Sequence, residues 1–338
     1  MYKHNISIVG ATGAVGTVFL KMLEDRKYPS SLLRVFASKR SLGKKLDYLD
    51  NHLVIEEIND DSFLDSDFVF ISATTDISES IADLAVKSGA VVIDDSSAFR
   101  LSDEVPLVIP EINSKDLMDH KGIVSIPNCS TTPLAMVLGC LTKLSRPIRV
   151  ITDTYQSVSG TGSAAVSELL KQSKQIISGE KFDNDVYPHQ IAFNLFPHID
   201  DLQPNGYTKE EMKMILETKK ILHRPDLEIS ATCVRVPVFV SHSQSVHIEF
   251  EDDVKLDEAL GSLNNFSGIK VLDDLTNNTY PTPINSEGKD DVFVGRIRLD
   301  NYRSNVLALW IVNDNLRKGA ALNALQIFDS MIQMNLVV

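Results

Sequence analysis

The sequence predicts an α/β domain followed by an α+β domain, and three observations indicate this. The first 125 residues alternate short apolar runs with helical segments, a pattern typical of a doubly wound parallel sheet. After Pro127 the predicted strands lie closer to hairpin spacing, which favours a second domain with a largely antiparallel or mixed sheet. The length of 338 residues is sufficient for two hydrophobic cores.

The first domain is predicted from short β-branched runs bounded by turn-forming residues. These runs are Ile6–Val9, Leu33–Ala37, Phe68–Ser72 and Val91–Ile93. A helical pattern follows the first run, and Ile81–Lys87 predicts a crossover helix that ends at Gly89.

The second domain is predicted from a helix over Thr132–Leu144 and from four strands. The strands are Ile148–Gln156, Thr232–Val240, Val246–Glu251 and Val306–Val312. A polar region, roughly 179–230, lies between them, and Gly319–Met334 has the apolar periodicity of a closing helix.

Composition excludes several classes of protein. A net charge of -13 argues against nonspecific binding to nucleic acid or to an anionic membrane surface, although a locally basic pocket stays possible. The sequence shows no signal-peptide pattern and no run near the roughly 18 apolar residues that a membrane span needs. Cys129, Cys140 and Cys233 lack CxxC spacing, so we expect reduced thiols, no metal bound by cysteine and a cytoplasmic location.

Gly10, Gly13 and Gly16 form the sequence GATGAVG between the first strand and the first helix. A glycine loop at this position lets the backbone approach a pyrophosphate at a helix N-terminus, as in a Rossmann-like domain. The spacing is GxxGxxG rather than GxGxxG, and the alternative is a tight turn without a ligand.

The segment after the second strand reads Ala37-Ser-Lys-Arg-Ser41, with two cations and no acid. An NAD enzyme places Asp or Glu here for the ribose 2′-hydroxyl, whereas a 2′-phosphate needs cationic and hydroxyl donors. NADP(H) is therefore favoured, and the alternative is a solvated basic turn.

Cys129 lies at the start of a predicted helix, where backbone N–H groups and the helix dipole favour thiolate over thiol. A lone cysteine is as easily a small core residue, the interpretation we give to Cys140 and Cys233. His242, in a polar turn between two predicted strands, is the candidate acid/base partner. Arg235 lies in an otherwise apolar strand and is suited to bind a substrate carboxylate.

Several motifs together resemble the aspartate-semialdehyde dehydrogenase family. They are GATGAVG (10–16), the SxRS element (38–41), DDSSAFR (94–100), IPNCSTTP (126–133), YQSVSGTGSAA (155–165), Glu217-x-x-Lys220, RVPVFVSHS (235–243) and NLRKGAALNA (315–324). The resemblance implies NADPH-dependent, reversible reduction of L-aspartyl 4-phosphate to L-aspartate 4-semialdehyde through a thioester. It also implies a place in the biosynthesis of lysine, threonine, methionine and diaminopimelate.

The resemblance assigns a role to each matching position. Cys129 is similar to the nucleophile, His242 to the acid/base and Gln156 to the residue that orients the intermediate. The implied substrate and phosphate residues are Arg235, Glu217, Arg100, Asn128 and Lys220. The implied cofactor residues are Gly10, Thr12, Gly13, Ala14, Val15, Ser38, Arg40, Ser41, Ser159, Gly160 and Asn315.

The family also implies the organisation of the chain. Residues 1–127 with 315–338 would form the NADP-binding domain, and residues 128–314 the catalytic and dimerisation domain of a homodimer or homotetramer. Two positions depart from the family pattern, because Ser241 stands where glycine is common and Leu42 where alanine is usual.

Two other functions stay open from the sequence. One is a related acyl-phosphate reductase such as N-acetyl-γ-glutamyl-phosphate reductase, although an acid facing a free amino group favours the aspartyl substrate. The other is a catalytically silent NADP-binding protein of the same fold, which the joint presence of Cys129, Gln156, Arg235 and His242 disfavours.

Overall fold

The computed structural model of the chain describes residues 2–337, which divide into two compact units. The first unit runs to Asn128 and is completed by the chain from Ala320 onward, and the second unit spans Cys129–Gly319. Among the described residues, none of the helices combines the length and apolar character needed to cross a membrane.

The first unit contains a seven-stranded sheet with the order β3-β4-β2-β1-β5-β6-β7. The strands are β1 Ile6–Val9, β2 Leu33–Phe36, β3 Lys45–Tyr48, β4 Asn51–Glu56, β5 Phe68–Ile71, β6 Val91–Asp94 and β7 Ile123–Ser125. All neighbouring pairs are parallel except β3 with β4. The predicted doubly wound parallel sheet is therefore confirmed.

The helices before the unit boundary are α1 Ala14–Asp25, α2 Thr75–Lys87 and the short α3 Pro110–Asn113. Strands β1, β5 and β6 are buried along their whole length, as expected where helices cover both faces of a parallel sheet. Phe19 of α1, for example, stacks on Phe70 of β5 with ring centroids 4.2 Å apart.

The second unit contains a six-stranded mixed sheet with the order β11-β12-β13-β10-β8-β9. Its strands are β8 Pro147–Gln156, β9 Glu228–Arg235, β10 His242–Phe250, β11 Ile269–Val271, β12 Val292–Leu299 and β13 Val306–Asn313. Its helices are α4 Thr131–Leu141, α5 Ser163–Ser178, α6 Lys209–Ile221, α7 Leu256–Asn264 and α8 Pro283–Ser286. The predicted α+β domain with a mixed sheet is confirmed.

The closing helix α9, Leu322–Gln333, belongs to the first unit and follows a π-helical turn over Arg317–Ala321. Its Asn323 donates a hydrogen bond to the Val108 carbonyl at 2.8 Å, and its Phe328 ring packs edge-on against Phe68. The predicted helix over Gly319–Met334 therefore begins three residues too early, because a π turn replaces its first residues.

Two predicted strand boundaries near the candidate site are wrong. Strand β9 ends at Arg235 rather than at Val240, since Pro237 has no N–H to continue the ladder. Strand β10 begins at His242 rather than at Val246, so His242 is the first residue of a strand and does not lie in a polar turn. The polar residues at the start of β10 do not have the apolar pattern that predicts a strand, although they pair with both β13 and β8.

Candidate active site

The register of the second sheet brings three predicted site residues together at one end. Gln156 and Arg235 lie directly opposite each other in the parallel β8–β9 pair. Ser243 lies opposite Tyr155 in the antiparallel β10–β8 pair, so the preceding residue, His242, falls beside Gln156. All three side chains lie on the buried face of the sheet and are 5% exposed or less.

His242 is held through one ring nitrogen only. Its Nδ1 accepts a hydrogen bond from the Ser157 backbone N–H at 3.0 Å and lies 3.0 Å from the Ser157 hydroxyl. Its Nε2 is buried and has no hydrogen-bond partner among residues 2–337. A Cβ on Gly160 would lie 3.2 Å from this nitrogen, so the absence of a side chain at Gly160 keeps Nε2 open.

The surroundings of His242 disfavour its charged form. Complete burial and, secondarily, the nearby Arg235 guanidinium lower the pKa of His242 to about 3. Because the Ser157 N–H is always a donor, Nδ1 is an acceptor, and the neutral ring carries its proton on Nε2. The ring thus presents an N–H toward the open side.

Arg235 is a buried cation that pairs with no carboxylate anywhere in residues 2–337. Its Nη1 donates a hydrogen bond to the Ser157 carbonyl at 2.7 Å, and its guanidinium carbon lies 5.9 Å from the centre of the Tyr187 ring. A buried charge without a counter-ion is unfavourable, so a ligand carboxylate is the partner that this environment lacks.

Gln156 contacts a residue that the sequence did not single out. Its Nε2 donates a hydrogen bond to Glu210 Oε1 at 3.0 Å, and its Oε1 accepts one from the Thr154 hydroxyl at 3.0 Å. These two bonds fix the orientation of the amide. Lys213 in turn donates to the second Glu210 oxygen at 3.1 Å and to Asp200 at 2.7 Å.

Glu217 and Lys220, which the sequence did single out, lie on the same helix α6 as Glu210 and Lys213. Each lies seven residues further on, two helical turns along the same face, and Glu217 is 1% exposed. The Glu-x-x-Lys spacing occurs at both places, so the sequence signal alone does not distinguish them.

Cys129 is half-buried and lies immediately before Ser130, the residue that precedes the first turn of α4. The Ser130 carbonyl accepts a hydrogen bond from the Gln244 side chain at 2.7 Å, and Gln244 shares the buried face of β10 with His242. A Cβ on Gly319 would come within 3.0 Å of the Cys129 Cβ, so glycine gives the cysteine room there.

The other two thiols are buried in the core, as predicted. Burial raises the pKa of Cys140 to about 11 and raises that of Cys233 further. Neither thiol has the half-exposed position of Cys129, and none of the three cysteines forms a disulfide in the described chain. Position therefore separates the candidate nucleophile from the core thiols.

Asn315 connects the loops around the histidine. Its Oδ1 accepts hydrogen bonds from the Ser159 hydroxyl at 3.0 Å, the Ser241 backbone N–H at 2.9 Å and the Ser157 hydroxyl at 3.2 Å. Asn315 and Ser159, both predicted to bind cofactor, thus belong to the network that supports His242.

The glycine loop of the first unit has the geometry of a phosphate cradle. The loop contains the predicted cofactor residues Gly10, Thr12, Gly13, Ala14 and Val15. Gly10 has a φ of +85°, and a Cβ there would overlap the Ser72 carbonyl oxygen. Helix α1 begins at Ala14, so the N–H groups of its first turn have no helical acceptor and are suited to bind an anion.

Strand β1, which leads into this loop, lies between β2 and β5 in the sheet. The chain adds strands on the β2 side of β1 first and adds strands on the β5 side later. This is the topological switch point at which ligands bind in open α/β sheets.

The basic segment predicted to select the 2′-phosphate follows β2 as a single 3₁₀ turn over Lys39–Ser41. Ser38 and Arg40 are exposed, and Arg40 pairs with no acid among the described residues. Lys39 forms an exposed ion pair with Glu57 at 3.2 Å. Ser38, Arg40 and Ser41 therefore stay available to an anionic group.

Arg100 and Asn128, two predicted phosphate residues, are buried in the first unit. Arg100 donates a hydrogen bond to the Asp95 carbonyl at 2.7 Å. Burial raises the pKa of the Asp95 carboxyl to about 7, against the opposing effect of Arg100.

Comparisons with known proteins match the whole length of the chain. Residues 5–120 match the family described as "Semialdehyde dehydrogenase, NAD binding domain" and residues 138–318 the family described as "Semialdehyde dehydrogenase, dimerisation domain". The aspartate-semialdehyde dehydrogenase of Bacillus subtilis is 46% identical, with 98% of this chain and 99% of that protein covered. That of Aquifex aeolicus is 44% identical, with 99% of each chain covered.

This chain belongs to the aspartate-semialdehyde dehydrogenase family. A solved structure agrees, since Vibrio cholerae aspartate semialdehyde dehydrogenase II complexed with ASA matches with a TM-score of 0.95 at 36% identity. That match covers 98% of this chain and 99% of the other. The family resemblance found from the motifs is confirmed, and so is a nicotinamide-dinucleotide-binding domain.

The departures from the family pattern have different structural consequences. Ser241 adopts a φ of +75°, the left-handed conformation that glycine adopts without strain. Its hydroxyl is fully buried and has no hydrogen-bond partner in the described chain. Leu42 is exposed and precedes Gly43, which has a φ of +75°.

Proposed function

We propose that the chain catalyses the reversible reduction of L-aspartyl 4-phosphate to L-aspartate 4-semialdehyde and phosphate, with NADPH as the reductant. The observation that carries this proposal is Arg235, a buried cation with no counter-ion among residues 2–337, beside the open Nε2 of His242. In a suitable substrate the carboxylate carbon lies three bonds from the reacting carbonyl carbon. Such a substrate would place its carboxylate at Arg235 and its carbonyl at His242. The curated relatives named for this reaction support the same substrate.

Cys129 supplies the nucleophile. Its thiolate attacks the acyl phosphate carbon, the C–S bond forms, and the C–O bond to phosphate breaks to leave a thioester. When bound, NADPH supplies the hydride that reduces this thioester. The thiohemiacetal on Cys129 then re-forms its C=O bond and expels the thiolate, which releases the aldehyde.

His242 is the acid/base group in this scheme. At rest its Nε2–H faces the side that Gly160 leaves open, where it donates to the oxygen that gains negative charge. Gln156 lies next to it, and its amide is oriented by Thr154 and Glu210. We assign Gln156 the role of orienting the intermediate.

Arg235 binds the substrate α-carboxylate, and helix α6 supplies the acid that faces the amino group. Two pairs on α6 are candidates: Glu217 with Lys220, predicted from the sequence, and Glu210 with Lys213. The contact of Glu210 with Gln156 supports the second pair. Arg100, Asn128 and the lysine of the α6 pair would bind the phosphate.

NADP(H) fits the first unit better than NAD(H). The predicted cofactor domain comprises residues 1–127 with 315–338, and residues 128–314 would form the catalytic and dimerisation domain. The glycine loop is suited to bind the pyrophosphate, and Ser38, Arg40 and Ser41 to bind a 2′-phosphate. Ser159, Gly160 and Asn315 would contact the nicotinamide end. A Candida albicans relative of similar fold is described with NADP.

We also infer a homodimer, with a homotetramer as an alternative assembly. The second unit matches a dimerisation domain, and its strand β8 exposes Ile151 and Tyr155, each 39% exposed. Light scattering on the purified protein would give the mass of the assembly.

We also infer a cytoplasmic location, because the nucleophilic thiol of Cys129 must stay reduced.

The function is tested by NADPH formation from aspartate semialdehyde, NADP and phosphate. We expect activity that requires phosphate in the native protein and in Cys140→Ala, a matched control that removes a core thiol. Cys129→Ser should lose nearly all activity. An inactive native protein would refute the function, whereas a fully active Cys129→Ser would refute only the thioester.

A further inference from the structure

Arg235 lacks an acidic partner in the part of the chain that the structure describes, and an aromatic ring occupies part of its surroundings instead. We propose that Tyr187 is a positioning residue that fixes the Arg235 guanidinium for the substrate α-carboxylate and so determines which aldehydes the enzyme prefers. This inference rests on the proposed function of the chain. Tyr187 lies outside the motifs that this chain shares with the family.

The Tyr187 ring is held from two sides. Its hydroxyl donates a hydrogen bond to Thr161 at 2.8 Å, next to Gly160 in the loop that borders His242. Its ring packs edge-on against Phe196 with centroids 5.5 Å apart. Phe196 exchanges two backbone hydrogen bonds with Arg235, at 3.0 and 3.1 Å, so the aromatic pair is tied to the arginine itself.

A segment we call the strap, residues 183–192, carries Tyr187 across helix α5. The strap is anchored by two buried polar side chains of that helix, Glu168 and Gln172. The Glu168 carboxylate accepts hydrogen bonds from the backbone N–H groups of Asp185, Val186 and Tyr187. Gln172 Oε1 accepts them from Ile191 and Ala192.

The buried anchors define where the ring stands. A carboxylate that binds three successive N–H groups leaves that part of the strap little freedom. The position of the ring over Arg235 is therefore set by groups inside the unit and not by a chance surface contact.

An aromatic ring suits this position because it attracts a cation without neutralising it. An aspartate or glutamate in place of Tyr187 would pair with Arg235 and compete with the substrate carboxylate. The Ser157 carbonyl takes one Nη1 hydrogen and the ring takes one face of the guanidinium, so other donors stay available. Arg235 is thereby oriented and still able to bind an anion.

Three variants test the proposal. Tyr187→Leu removes the ring, Tyr187→Phe keeps it but loses the bond to Thr161, and Ile176→Val is a packing control at the edge of the same apolar cluster. A fourth, Thr161→Val, loosens the ring without altering the strap and serves if Tyr187→Leu does not fold. Thermal unfolding of each variant measures its fold.

In the direction of NADPH formation we expect Tyr187→Leu to raise the KM for aspartate semialdehyde about tenfold, with kcat within about threefold. The KM values for phosphate and NADP should stay unchanged. With 3-aminopropanal, which lacks the α-carboxylate, kcat/KM should change less than about twofold. Ile176→Val should resemble the native enzyme, whereas Tyr187→Phe and Thr161→Val, which lose the same hydrogen bond, should both show a smaller loss confined to aspartate semialdehyde.

An equal loss with both aldehydes, or a loss shared by the KM for phosphate, would overturn the proposal, because the ring would then only support the fold. A Tyr187→Phe variant as impaired as Tyr187→Leu would also overturn the proposal, because Tyr187→Phe keeps the ring. An inactive native protein would instead refute the proposed function, and the two failures are distinguishable.

Discussion

The carboxylate of Glu210 accepts a hydrogen bond from the Gln156 side chain at 3.0 Å, and both side chains are 5% exposed or less. Gln156 lies between Arg235 and His242 at the end of the sheet. Glu210 is therefore an acid on α6 with a direct contact to the candidate active site, and Glu217 lies two turns further along the helix.

This relationship predicts which glutamate supports catalysis. We expect Glu210→Gln to lower kcat/KM for aspartate semialdehyde about 100-fold, because hydrogen bonds that involve a charged group are strong and the variant also misplaces Gln156. Glu217→Gln is the matched comparison and should lose less than about fivefold. Steady-state kinetics on both variants measure the two losses. A larger loss in Glu217→Gln than in Glu210→Gln would assign the role to Glu217.

Gly160 is predicted to tolerate no side chain. An added Cβ would lie 3.2 Å from His242 Nε2 and 3.4 Å from Arg235 Nη1, in the space that the reacting group needs. We expect Gly160→Ala to reduce kcat/KM about 100-fold with little change in thermal unfolding. Gly261→Ala, within α7 and with open space around an ordinary backbone conformation, controls for general effects of replacing glycine. Native-like activity of Gly160→Ala would show that this space is not used.

The cofactor preference should depend on Arg40, which is exposed and pairs with no acid among residues 2–337. We expect Arg40→Ala to raise the KM for NADP about tenfold or more and to leave the KM for NAD unchanged, because only NADP has the 2′-phosphate. Lys39→Ala, which removes the neighbouring cation paired with Glu57, serves as a control. Equal effects on both cofactors would argue against a 2′-phosphate contact.

Ser241 is predicted to be a point of strain that the family's usual glycine would relieve. Its φ of +75° is unfavourable for a residue with a Cβ, and its buried hydroxyl has no partner among the described residues. We expect Ser241→Gly to raise the free energy of unfolding by about 1 kcal/mol without loss of activity. Its N–H to Asn315 is retained in the variant.

Ser241→Ala separates the two causes, because it removes the hydroxyl but keeps the Cβ. If urea unfolding shows Ser241→Ala to be as stable as Ser241→Gly, the unpaired hydroxyl and not the backbone is responsible. A destabilised Ser241→Gly would contradict the prediction.

The sequence was sufficient to predict features that depend on local patterns. The apolar run Ile6–Val9 followed by Gly10 predicted both the first strand and the loop after it, since only glycine fits against the Ser72 carbonyl. Cys129 was predicted at the start of a helix because Ser130, Thr131 and Pro133 are typical of a first turn.

Features that depend on tertiary contacts were not accessible in this way. Helix α6 lies in the polar region near 179–230, and its start at the capping box of Thr208 and Glu211 was the signal that could have found it. The choice between Glu210 and Glu217 depends on which turn of α6 faces β8. A local sequence pattern does not determine this. The strand start at His242 was hidden because its serines and glutamine are buried by the neighbouring strands.

His242 predicts how stability depends on pH. Its pKa of about 3 in the folded protein lies below the value near 6.5 expected in the unfolded chain. Between these values the unfolded state binds a proton that the native state does not bind, so this contribution to stability is present above about pH 6.5 and is lost as the pH falls. Arg235 opposes protonation of the ring, and Glu210 acts in the opposite direction with less effect.

We therefore expect the native protein to lose stability relative to His242→Gln as the pH falls, with a slope approaching about 1.4 kcal/mol per pH unit. Urea unfolding of both proteins between about pH 5 and about pH 7.5 measures the difference, which should be flat at the upper end. Nitrogen NMR of labelled histidine should show the proton on Nε2 and none on Nδ1 throughout this range, because the Ser157 N–H occupies Nδ1. A ring protonated on both nitrogens near pH 6.5, or parallel stability curves, would mean that His242 is open to water and charges freely in the native protein.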